Sequence, residues 1–141
     1  FNNEVPEGGT KTKSFLARWA SATVGATWSK AGWGISVDGY VQKDYVTKRP
    51  VVASSVIIQF VEQYDSKYGD RFGGKTPLAR TIGSGTAIIL RNGQRFAATW
   101  SRPTAESGTV YAVNGETFPL PTGQVWVILV NRTKTSSVSF K

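Results

Sequence analysis

The chain has 141 residues, 40% of them hydrophobic and 18% charged, which suits one folded domain with its own apolar core and excludes a disordered chain. It carries 17 Lys and Arg against 9 acids, a net charge of +8, which attracts polyanions such as nucleic acid, anionic headgroups or acidic wall polymers but selects none of them. There is no Cys, His or Met, so disulfides, thiolate or imidazole metal sites and histidine-based catalysis are excluded.

Residues 1–12 are polar, contain Gly and Pro, and read as a flexible lead-in to a single β-rich domain over 13–141. A chain that begins at Phe1 reads as a processed product or a fragment. From Ser14 to Val24 side chains alternate with period two, the mark of strands. Trp28–Tyr40 reads as short strands with turns at its glycines, and Asp38-Gly39 is a two-residue hairpin signal. Val56–Val61 is an apolar run rich in β-branched residues, broken only by Gln59, which predicts a strand buried on both faces. Tyr64–Arg80 is polar, basic and Gly-containing, and reads as a long loop. The best candidate for a helical turn is Glu62–Lys67. Asn92-Gly93 between Thr86–Leu90 and Gln94–Ser101 predicts a tight hairpin, and Asn114-Gly115 predicts another. Gln124–Val130 is again apolar on both faces, and Thr135–Phe140 reads as a short edge strand. Eight or more short strands built from hairpins predict an all-β fold, an antiparallel sandwich or partly open barrel. No apolar run reaches the roughly 18 residues that a spanning helix needs.

Several motifs carry chemistry only in the right setting. Gly69–Thr76 spells the phosphate-loop pattern G-x-x-x-x-G-K-T, but Pro77 and the next strand leave no room for the helix whose N-terminus would hold phosphate. Ile82-Gly83-Ser84-Gly85 contains a serine without a histidine base, and its glycines suit a bulge or close backbone packing. Of the acids, Glu62 follows a buried strand and is the candidate acid for a wall-glycan enzyme, an activity that needs a second carboxylate. No Asp-rich loop offers a hard-cation site. The sequence therefore implies no catalytic residue, no metal and no cofactor. Trp100-Ser101-Arg102 ends a strand before a Pro-containing loop and could form a stacking and anion-binding corner. The plainer alternative is that Trp100 closes the core and Arg102 pairs with a carboxylate. Lys67, Tyr68, Arg71 and Lys75 interleave cations with aromatics, as polyanion or glycan contacts do, or as a solvated loop does.

Thr81-Ile82-Gly83-Ser84-Gly85-Thr86-Ala87, Ala98-Thr99-Trp100-Ser101-Arg102, Pro119-Leu120 and Gly123-Gln124-Val125-Trp126-Val127 occur in one order. This order resembles the carboxy-terminal domain of the YerB-like bacterial lipoprotein family, a domain of unknown function, over roughly residues 24–130. Ala98 stands where a Gly is usual and Thr122 where a Pro is usual. The resemblance implies an extracytoplasmic setting in the cell envelope, an anchor and an amino-terminal α/β domain outside this chain, and no established activity. The expected function is a non-catalytic binding or scaffold module whose partner is an envelope protein or an anionic wall polymer. The rival is a carboxylate-based wall-glycan enzyme. A single-stranded nucleic-acid barrel is a third reading, and the resemblance argues against it.

Overall fold

The structure is a computed structural model that describes residues 6–69, 73 and 75–141, the side chains of 66, 68, 75–77, 135 and 136 excepted. Its elements are nearly all strands. β1 (Thr10–Lys11), β2 (Ser14–Arg18), β3 (Thr23–Ser29), β4 (Gly32–Val37), β5 (Tyr40–Val41) and β6 (Val52–Ala53) come first. β7 (Ser55–Gly69), β8 (Lys75–Arg80), β9 (Gly83–Arg91) and β10 (Gln94–Arg102) follow. β11 (Val110–Val113), β12 (Glu116–Thr117), β13 (Val125–Asn131), a 3-10 segment (Arg132–Ser137) and β14 (Val138–Phe140) complete the chain.

Two sheets form a sandwich, not a closed barrel. The small sheet runs β14-β2-β3-β4-β5, with β6 also on β4. The large sheet runs β12-β11-β10-β9-β7-β13, with β1 added to β10 and β8 to β7. The three hairpin signals work as read. Asp38-Gly39, Asn92-Gly93 and Asn114-Gly115 all take positive φ at both positions, the type I′ geometry that matches strand twist. Thr135–Phe140 supplies the edge strand β14, which pairs with β2.

Two expectations need correction. Tyr64–Arg80 is no loop: β7 continues to Gly69 and pairs with β8 from Glu62↔Arg80 to Gly69↔Lys75. The same pairing makes Glu62–Lys67 strand and not helix. Both faces of this extension are polar, so no apolar alternation announced it, and the backbone ladder holds it. Residues 70–72 and 74 lie outside the described residues. β13 finds its partner far back in the chain. It runs parallel to β7 in register from Val125↔Ser55 to Asn131↔Val61. Both strands are apolar on both faces, as parallel pairs are, although β13 lies at the sheet edge and leaves Val127 exposed.

The large sheet has a core on each face. Between the sheets, Phe15, Trp33 and Ile35 pack against Val56, Ile58, Leu90 and Val130. On the other face, Ile57, Val61, Ile89, Phe96 and Trp100 pack with Tyr111 and Phe118. The sheet coils over this second face far enough for the Tyr111 hydroxyl, on β11, to donate to Gln59 Oε1 on β7 at 2.7 Å. Burial pushes the Tyr111 phenol above its ordinary value. Arg91 is buried and donates to the Pro119 carbonyl, tying the segment after β12 to the end of β9. At the sandwich end, Thr12 donates its N–H to Gly93 O at 2.8 Å and is buried. No helix among the described residues is long and apolar enough to cross a membrane.

Candidate functional site

The two motif segments prove to be cross-strand neighbours. Gly83 pairs with Arg102, Ser84 with Ser101 and Gly85 with Trp100 on the β9–β10 ladder. The indole N–H of Trp100 donates to the Phe60 carbonyl at 2.9 Å, just where β7 leaves β9 to pair with β8. A Cβ on Gly85 would stand 2.6 Å from Trp100 Nε1 and 3.0 Å from Phe60 O, so only glycine admits the indole. Gly85 therefore serves packing, whereas Gly83, with φ of 117° and no neighbour within 4 Å of a Cβ, serves the backbone. Among the described residues that line its cleft, Ser84 has no lysine and one acid, Glu62.

Arg102 finds carbonyls where a carboxylate was expected. Its guanidinium donates to Ser107 O at 3.0 Å, to Ala105 O and to Thr81 Oγ1 at 3.1 Å. It clamps the loop after β10 onto the β8–β9 connection. Ser101 is exposed on the face of β10 opposite Trp100.

The fork between β7 and β9 opens a cleft of 240 Å³, with Trp100 and Gly85 at its floor and Glu62, Arg80 and Arg132 along its lining. Glu62 Oε2 lies 3.9 Å from Arg80 Nε and 4.0 Å from an Arg132 guanidinium nitrogen. These are loose, half-exposed ion pairs of small energetic value. Glu62 is the one acid among the described residues of this lining, and a two-carboxylate hydrolytic site needs a second. Its neighbour Gln63 points to the other face of β7 and lines a second cleft, of 350 Å³, with Arg18, Trp19, Asn131 and Lys134. A third cleft, of 370 Å³, lies at β11 and β12 and has no charged lining residue. Among the described residues no cluster of three acids could hold a metal ion.

The β7–β8 hairpin rises directly from this fork. Lys67 is exposed on it, with Tyr68 on β7 and Lys75 on β8. Arg71 lies outside the described residues. At the end of the phosphate-loop pattern, Lys75-Thr76 open a strand where phosphate binding requires a helix. Around the base, Arg80 lies 5.4 Å from the Tyr64 ring centre. Sequence reading did not single out Arg18, Trp19, Arg132 or Lys134. They are isolated residues on separate elements, and only the tertiary fold gathers them.

The architecture defines a two-sheet β-sandwich domain with a projecting hairpin and a Gly-Ser-Gly and Trp-Ser-Arg ladder at the fork. The family model of the DUF3048 C-terminal domain, a family of unknown function, matches residues 16–127, and the chain belongs to that family. The crystal structure of the YerB protein from Bacillus subtilis has a similar fold, with a TM-score of 0.75 and 16% sequence identity. The match covers 94% of this chain and 44% of that one, so the present chain spans less than half the length of that protein. No curated protein matches the sequence.

Proposed function

We propose that the domain is a binding module of the bacterial cell envelope that holds an anionic polymer along β7. The observation that carries this reading is the placement of Arg80 and Arg132 in one cleft beside β7 and of Arg18 and Lys134 in another, with Glu62 the one acid among the described residues that line them. Trp19 adds a stacking face, and Gln63 and Asn131 add amides able to meet hydroxyl and phosphate oxygens. Lys67, exposed on the β7 part of the hairpin, adds a cation beyond the clefts. A net charge of +8 draws such a polymer from a distance. The envelope setting is supported by the sequence resemblance to the YerB-like lipoprotein family.

Calorimetric titration with poly(glycerol phosphate) at several salt concentrations tests this. The expected result is binding that weakens steeply with salt. In the Arg132→Gln/Lys134→Gln variant the salt slope should fall by about one for each cation removed. No binding at low ionic strength, or a variant with unchanged affinity and slope, overturns the proposal.

A further inference from the structure

The strand beyond β4 comes in two pieces. β5 pairs with it at Ser36↔Val41 and Val37↔Tyr40, and β6 at Trp33↔Ala53 and Gly34↔Val52. Between them the chain leaves the edge after Gln42 and returns at Val51. Ile35 keeps both ends: its carbonyl accepts from Gln42 N–H at 2.9 Å, and its N–H donates to Val51 O at 3.3 Å. Val51 N–H donates to Gln42 O at 2.8 Å and closes the base. Residues 43–50 therefore stand out from the edge of the small sheet.

This excursion is ordered by its own bonds. Lys43 and Pro50 form a bridge, and Asp44 N–H donates to Arg49 O at 2.8 Å. The Asp44 carboxylate accepts from the N–H groups of Val46 at 2.9 Å and Thr47 at 2.7 Å. The Thr47 N–H, then its hydroxyl, and the Val46 N–H hold that carboxyl below the usual carboxylate range. The one acid of the excursion is thus taken up by its own turn.

What the turn presents outward is apolar and cationic. Tyr45 is 87% exposed and Val46 83%, and Tyr40 and Val41 are exposed on the adjoining edge. Four of the nine large apolar side chains exposed among the described residues thus fall within residues 40–46, which makes this a patch and not scatter. Lys43, Lys48 and Arg49 flank it, with the Lys48 ammonium 4.5 Å from the Tyr45 ring centre.

We infer that the 43–50 hairpin, with Tyr40 and Val41, is a docking surface for an anionic lipid bilayer. Tyr45 and Val46 enter the interfacial layer while Lys43, Lys48 and Arg49 face lipid phosphates. Tyrosine, with an apolar ring and a polar tip, suits headgroup depth. A soft bilayer interface admits an exposed turn of this kind, and Lys43, Lys48 and Arg49 complement anionic headgroups. The surface shares no residue with the β7 clefts, so the inference stands apart from the polymer reading.

Flotation with vesicles of phosphatidylcholine and phosphatidylglycerol mixed one to one, against phosphatidylcholine alone, tests it. The domain should float with the mixed vesicles only. Tyr45→Ser/Val46→Ser should weaken partitioning about tenfold. Lys43→Gln/Lys48→Gln should weaken it about fivefold per cation. All four changes sit on an exposed turn, and circular dichroism should show the fold intact. Lys11→Gln/Lys141→Gln, with the same net charge as the hairpin pair, should keep most of the binding. Absence of flotation with mixed vesicles, equal flotation with neutral ones, or equal loss in the Lys11/Lys141 control overturns the inference. So does flotation unchanged by Tyr45→Ser/Val46→Ser.

Discussion

Gly85 and Trp100 act as one unit, and their coupling is measurable. The glycine leaves the space that the indole fills, and the indole satisfies the Phe60 carbonyl that β9 can no longer reach. Gly85→Ala must push the indole aside and should cost about 2 kcal/mol by overpacking. Trp100→Phe loses a hydrogen bond of about 1 kcal/mol along with packing area. In the Trp100→Phe background the five-membered ring is gone, so Gly85→Ala should cost less, about 1 kcal/mol. Urea unfolding of the four proteins measures this coupling. Additive losses would show that the glycine answers to backbone demands alone. The serine between the two glycines invites a nucleophile reading, but Gly85 has a steric cause and Gly83 a backbone one, its φ of 117°. Arg102 follows the same logic, since its donors are spent on the loop that follows it.

The Asn-Gly turns at element scale look alike in sequence but should differ in energy. Gly115 has φ of 81°, and a Cβ there would meet no neighbour within 4 Å, so Gly115→Ala should cost only left-handed strain, about 1 kcal/mol. Gly93 has φ of 73°, and a Cβ there would lie 2.7 Å from Trp28 Nε1. Gly93→Ala adds this clash to the strain and should cost about 3 kcal/mol. Thermal or urea melts of the two variants compare them directly, and equal losses would refute a role for the Trp28 contact. The turns themselves were legible because positive φ demands particular residues. The buried run Val56–Val61 was legible because burial on both faces leaves almost no polar position. The β7–β8 extension was not, because backbone pairing between polar strands leaves no hydrophobic period. The parallel partnership of β7 and β13 joins strands far apart in sequence, and no local turn encodes it. The clefts were hidden for a related reason: Arg80 joins Arg132 in one, and Arg18 joins Lys134 in the other, only after β7 has forked from β9 and the 3-10 segment has followed β13.

The molecule as a whole is organised around a sheet that serves two cores. On β7, the adjacent Ile57 and Ile58 are both fully buried, Ile57 in the outer core and Ile58 between the sheets. Strands β7, β9 and β13 contribute side chains to both cores, so neither core can lose its packing without disturbing the strands that support the other. Ile57→Ala and Ile58→Ala should each cost about 2–5 kcal/mol. That is a large part of the roughly 5–15 kcal/mol that holds a domain together. Because the strands are shared, both losses should lower one common transition. Far-ultraviolet circular dichroism, which follows the strands, should coincide with tryptophan fluorescence, which follows Trp33 in one core and Trp100 in the other. If the cores were independent, Ile57→Ala would loosen the Tyr111 and Phe118 side first and divide the melt in two. A single coincident transition in both variants would mean that the fork, its clefts and the projecting hairpins are borne by one cooperative body, so substitutions on their exposed residues can test binding with the fold preserved.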